Sequence, residues 1–424
     1  MERIQVFKGN IAYTKAPERF ELTEDGYIAV KNGIVAGVFP TLPEEYKGLP
    51  VEDLGERILI PAFTDLHLHA PQLPNMGIGY DLELMPWLMQ HTFPLEGCYS
   101  DIDYAKKVYP RLVHALWRNG LLHSIVLGTR HWEATELLMD LFIRSGLSAY
   151  VGKVNMDRGA TRSLEEDTAQ SIRETEALIQ KYQGASERVK YILTPRFVPC
   201  TTPALMAALG VLAREYHLPV QSHLSENREE IKLVHELHPE EKDFTSIYYK
   251  YGLLGQTPTV MAHCVHNTDE ELDLLKRQGV YIAHCPQSNL NLTSGTMPLR
   301  KYMDMGLRIG LGSDIGAGNT LNMLSHIALA MQVSKTYNMA HKEYAPISSS
   351  EAFYLATKGG GSFFGRTGSF EKGYAFDALV LDDGGMNVER RPLKDRIEKL
   401  IYCGNETNIA ERYIEGIRVG EPGA

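Results

Sequence analysis

From Ile58 onward the chain alternates short apolar runs with longer segments whose apolar residues recur at helical spacing. The runs are Ile58 to Leu66, Leu121 to Leu127, Leu147 to Val154, Val189 to Thr194, Leu218 to Ser222, Thr259 to Ala262, Val280 to Ala283 and Arg308 to Leu311. Each has the length of a buried strand, and segments such as Ser163 to Tyr182, Pro203 to Tyr216, Asp269 to Arg277 and Ser349 to Thr357 read as intervening helices. Eight such alternations predict an α/β fold, a (β/α)₈ TIM-like barrel of about 300 residues. A doubly wound sheet is the other architecture the pattern allows.

The two ends of the chain follow a different rhythm. Ile4 to Phe7, Tyr27 to Val30, the Gly-bounded run Gly33 to Gly37, and Arg57 to Ile60 read as short strands with turns. Gly368 to Asp382 reads as a turn followed by a strand, and Ile414-Glu-Gly-Ile-Arg-Val-Gly reads as a closing hairpin. Residues 1–60 and 368–424 are therefore expected to form one small composite β-sandwich domain, with 61–367 as the barrel. No internal repeat or low-complexity linker interrupts the chain.

Composition narrows the partners. With 44% hydrophobic and 23% charged residues, the 424-residue chain is an ordinary globular sequence able to bury a large core. A formal net charge of -10 disfavours nucleic acid and anionic membranes as partners. Its five cysteines, Cys98, Cys200, Cys264, Cys285 and Cys403, stand singly, which suits a reducing cytoplasm. No apolar run reaches the roughly 18 residues of a membrane span, and MERIQVFKGNIAY lacks the pattern of a signal peptide. A soluble, cytoplasmic protein is expected.

The candidate chemistry lies at the strand ends. His67-Leu-His69 closes the first run, and residues two apart on a strand share a face, so both imidazoles can converge on one ion. His223, His263 and Asp314 each stand where another apolar run stops. Four imidazoles and a carboxylate at one barrel mouth would each need a buried partner if they were only packing, so a metal site is the better reading. Nitrogen and oxygen donors without sulfur suit Zn²⁺, and equally Fe²⁺ or Mn²⁺. An ion of this kind brings the pKa of water from about 15.7 towards about 7, which implies hydrolytic attack on an electrophilic carbon. Glu226, three residues after His223, is either a proton carrier or a solvated first-turn acid like Glu229 and Glu230.

This constellation resembles the amidohydrolase superfamily and, within it, the guanine deaminase family. The resemblance is carried by His67-Leu-His-Ala-Pro-Gln72, Met85 to Glu96, Val151 to Asp157, Thr194-Pro-Arg-Phe197, Gln221 to Arg228 and Ala283 to Asn289, and runs through nearly the whole chain. It implies hydrolysis of guanine to xanthine and ammonia with one zinc ion per chain held by His67, His69, His223 and Asp314. It further implies that Glu226 shuttles a proton to the purine and that His263 with Asp314 orients and deprotonates the attacking water. Gln72, Arg196, Phe197, Trp87 and His263 match substrate-binding positions, and a homodimer is the implied assembly.

Several features point elsewhere or stay open. The Val189 to Thr194 run ends without a Lys at its mouth, unlike binuclear relatives, so Lys153 is expected to be structural and the metal single. His131-Trp-Glu133 mimics half of the cytidine-deaminase motif, but Pro199-Cys200 has no second Cys after it. The glycines of Gly310 to Gly318 have the wrong spacing for a dinucleotide loop. His284 and Asn289 are placed near the mouth with a hydrogen-bonding or a catalytic role. The segment Tyr80 to Gly97 reads as a cap on the pocket, a subunit contact or an additional core helix. The competing functions are an aminohydrolase for another amino-substituted ring (a triazine, a pterin or a modified guanine) and a non-catalytic barrel scaffold.

Overall fold

A computed structural model describes residues 3–423; the outermost positions of the composite terminal unit, 1, 2 and 424, lie outside the described residues. Eight parallel strands follow one another around a ring: Phe63–His69, Leu121–Leu127, Ser148–Gly152, Val189–Tyr191, Val220–Leu224, Thr259–His263, Tyr281–His284 and Arg308–Leu311. The first four pair in order, as do the last four. A bridge between Leu193 and Val220 joins the two halves. On the other side the Asp314 amide donates to the His67 carbonyl at 2.8 Å and the His69 amide to the Ile315 carbonyl at 2.9 Å. The barrel is therefore closed, and its interior is filled by Leu66, Ile125, Ile192, Val260, Ala262, Ala283 and Phe363.

Two apolar runs are broken where the backbones crowd. Leu147 to Val154 divides into Ser148–Gly152 and Val154–Asn155, and Val189 to Thr194 into Val189–Tyr191 and Thr194–Pro195, the two short pieces pairing separately. A Cβ at Gly152 would come within 2.1 Å of the Ile192 carbonyl, an approach only glycine permits. The helix expected from Ser163 begins at Thr168, because Asp167 caps it by accepting from the Gln170 amide and Glu166 turns inward to Lys153.

The chain ends meet in one seven-stranded mixed sheet. Its order is Ile417–Arg418, Ile409–Ile414, Ala378–Leu381, Val51–Pro61, Ile4–Thr14, Phe20–Lys31, Ile34–Phe39. The run from Ile58 is thus shared: Ile58 to Pro61 belongs to this sheet, and the barrel strand starts at Phe63. Between them the Ala62 amide donates to the Asp377 carbonyl at 2.9 Å, while the Asp377 carboxylate pairs with His123 of the second barrel strand at 3.1 Å. The terminal sheet thereby fixes the entry of the strand that carries His67 and His69. A helix over Leu393–Cys403, unanticipated from the pattern, packs Leu393, Ile397, Leu400 and Ile401 into the core. Among the described residues no helix is long and apolar enough to cross a membrane.

Candidate active site and metal centre

The carboxyl ends of the barrel strands bring five polar side chains to one point. His67 and His69 end the first strand, His223 lies in the fifth and His263 ends the sixth, while Asp314 follows the eighth. All five are at most 7% exposed. His263 and Asp314 hold φ values of +71° and +50°, a left-handed backbone that costs roughly 1–3 kcal/mol per non-glycine residue and marks functional turns. Glycine makes the turn after the eighth strand possible, since a Cβ at Gly312 would sit 2.8 Å from Cys285 Sγ and 3.0 Å from His67 Cβ. This close approach explains the glycines that mimicked a dinucleotide loop. Buried Asp65 fastens the same junction by accepting from the amides of His67 and Ser313 and from the Ser313 hydroxyl.

Donor spacing fits a metal ion. With bonds of about 2.0–2.1 Å in a tetrahedral shell, neighbouring ligand atoms sit about 3.4 Å apart. His67 Nε2 and His69 Nε2 lie 3.3 and 3.5 Å from Asp314 Oδ1, and His69 Nε2 is 3.0 Å from His223 Nε2. His223 donates its Nδ1–H to the Arg196 carbonyl at 2.7 Å, which leaves the Nε2 lone pair facing the cluster. His67 Nε2 is buried with no hydrogen-bond partner. Burial holds His67, His69 and His223 well below the usual imidazole range, so they are neutral and ready to ligate. Both groupings, His67 with His69 and His223, and His67 with His263 and Asp314, are compact enough to hold an ion.

Beside the cluster stand groups able to carry protons. Glu226 Oε2 is 3.4 Å from His263 Nε2, and burial, reinforced by the Asp314 charge, pushes the Glu226 carboxyl up to about 8. The Ser294 hydroxyl donates to Glu226 Oε1 at 3.0 Å. Asn289 Oδ1 accepts from His263 Nδ1 at 2.9 Å, turning Nε2 towards Asp314 and Glu226. A recess holding about 360 Å³ of empty space, its open mouth included, lies over these groups. Gln72, Arg196, Phe197, Trp87 and His263 line it together with Leu84, Leu88, Leu292 and Ala317. The segment Tyr80 to Gly97 thus caps the pocket, with Trp87 fixed by donating Nε1–H to the Ile78 carbonyl at 2.8 Å.

Lys153 and His284 both stay outside the cluster. Lys153 is fully buried and pairs with Glu166 at 2.6 Å. His284 is buried with neither ring nitrogen hydrogen-bonded and takes no part in either metal-sized grouping. Glu96, Asp65 and Ser294 were not singled out from the sequence. Glu96 is the only carboxylate between Glu83 and Asp101, but that segment also holds the polar Gln90, His91 and Thr92, so nothing local marks it as buried or names its partner. That partner is Arg196, whose Nη1 lies 2.8 Å from Glu96 Oε1.

A closed barrel with histidines at the ends of its first, fifth and sixth strands and an aspartate after its eighth defines a class of metal-dependent hydrolases, and the chain belongs to the Amidohydrolase family, whose profile it matches over residues 58–418. Its relatives are more particular. A guanine deaminase of Dictyostelium discoideum is 35% identical over 98% of both chains. The guanine deaminase of Homo sapiens is 36% identical over 88% of this chain and 86% of its own. The crystal structure of guanine deaminase from C. acetobutylicum with bound guanine has a TM-score of 0.97 and 47% identity, covering 99% of this chain and 100% of that one.

Proposed function

We propose that this protein hydrolyses guanine to xanthine and ammonia, with one zinc ion per chain held by His67, His69, His223 and Asp314. The observation that carries the reading is the joining, in one buried recess, of this metal-sized cluster with the Gln72, Arg196 and Phe197 wall. The ion supplies Lewis acidity and a water activated at neutral pH. Phe197, Trp87, Leu84 and Leu88 offer a flat ring apolar contact and exclude bulk water. Arg196 donates to a ring acceptor, and Gln72 fixes the ring's orientation. His263, its Nδ1–H held by Asn289, presents Nε2 with Asp314 to the attacking water and orients it over C2. Glu226, protonated near neutrality, gives its proton to the ring nitrogen beside C2. The water gives one proton to His263 and Asp314, which pass it to the amino group so that it leaves as ammonia when the C2–N bond breaks; the oxygen stays on C2, and its remaining proton returns to Glu226.

A homodimer working in the cytoplasm belongs to the same reading; the scattered cysteines and the acidic net charge support the compartment. We also assign residues 61–367 to the hydrolase barrel, and 1–60 with 368–424 to the terminal β domain. The experiment is guanine turnover followed by ultraviolet absorbance and ammonia release, on protein whose metal has been counted. Xanthine formation with about one zinc per chain, lost on chelation and restored by zinc, is the expected result. Metal without guanine turnover would move the substrate to another amino-substituted ring, and about two ions per chain would overturn the single-metal assignment.

A further inference from the structure

Glu96 is 2% exposed and does not line the recess, yet both polar residues of the substrate wall are bound to it. Its Oε1 accepts from Gln72 Nε2 at 2.7 Å, and Arg196 Nη1 donates to its two oxygens at 2.8 and 2.9 Å. The Gly316 amide donates to Gln72 Oε1 at 3.1 Å. The Gln72 amide therefore has one possible orientation, since turning it over would set its oxygen against a carboxylate. Arg196 also packs its guanidinium 5.7 Å from the Phe93 ring centroid. Its guanidinium has five N–H donors and no acceptor, so the donors not taken by Glu96 ask for an acceptor on whatever ring enters. An amino group at that place would leave two donors facing each other in a buried site.

We propose that Glu96 is a positioning residue that sets ring specificity: by anchoring Arg196 and fixing the Gln72 amide it makes the pocket select an oxo over an amino substituent. The inference rests on the guanine reading above. Its test compares KM for guanine with the inhibition constant of 2,6-diaminopurine, which carries an amino group at C6 where guanine has its exocyclic oxo group. In Glu96→Gln the KM for guanine is expected to rise about 10- to 100-fold, more than kcat falls, as one charged hydrogen-bond set is lost. The ratio of the diaminopurine constant to that KM should drop by about tenfold or more. Glu96→Asp, which keeps the charge but retracts it, should fall between and serves if the amide variant does not fold. A purely structural role would lower metal content and thermal midpoint while leaving the ratio unchanged, and an unchanged ratio in the variant that folds overturns the proposal. If the unmodified protein leaves guanine untouched, the guanine reading itself falls, and the inference with it.

Discussion

Asn289 decides which nitrogen of His263 carries the proton. Its side-chain oxygen accepts from Nδ1, so Nε2 keeps a lone pair towards Asp314 and Glu226. Asn289→Ala should lower kcat/KM by about 10- to 100-fold, the usual cost of losing a partner that orients an active-site imidazole. The fold should persist, and the check is steady-state kinetics beside a thermal melt. At this scale the sequence was readable where a polar residue interrupted an apolar run: His67, His69, His223, His263 and Asp314 all declared themselves that way. Glu96 did not, because what makes it functional is a bond to Arg196, a hundred residues further along. Ser294 was hidden for the same reason, lying 68 residues from the carboxylate it serves.

Among the elements, the first and eighth strands meet more closely than side chains ordinarily allow. A Cβ on Gly312 would lie 2.8 Å from Cys285 Sγ, closer than real Cβ atoms stand, and a tight 3.0 Å from His67 Cβ, so a neighbour would have to give way. Gly312→Ala should destabilise the protein by about 1–3 kcal/mol, as overpacking does. Because the displaced strand carries two imidazoles, metal affinity should fall with it; denaturant unfolding and a competitive zinc titration would show both effects together. An unchanged zinc affinity would mean that the strain is relieved through Cys285 instead. Strand order and the barrel itself were legible, since apolar runs and helical spacing repeat along the chain. The breaks at Gly152 and before Thr168 were not, because they arise from a neighbouring carbonyl and from the inward pull of Lys153 on Glu166.

For the molecule as a whole, buried acids set how stability varies with pH. Glu230 accepts from the amides of Glu226 and Asn227, yet burial, and then the Glu226 charge, push its carboxyl up to about 8. A folded-state pKa above the unfolded one means that the native protein holds the proton more tightly. The associated stability is complete below about pH 4.5 and is lost as pH rises through about 8. Glu230→Gln, which still offers an oxygen to both amides, should flatten unfolding stability between pH 5 and 8, with a ceiling of about 5 kcal/mol. Urea titrations across that range would reveal the slope, and a variant as steep as the parent would place its origin in other acids. The terminal sheet was only partly foreseeable: each strand could be read locally, but not that Val51–Pro61 lies between Ile4–Thr14 and Ala378–Leu381. That placement has a consequence for biosynthesis. While the chain is being made, the strand leading to His67 keeps one edge open until Ala378 has left the ribosome, so the hydrolase centre is completed near the end of translation and a chain released early would present an unpaired edge to its neighbours.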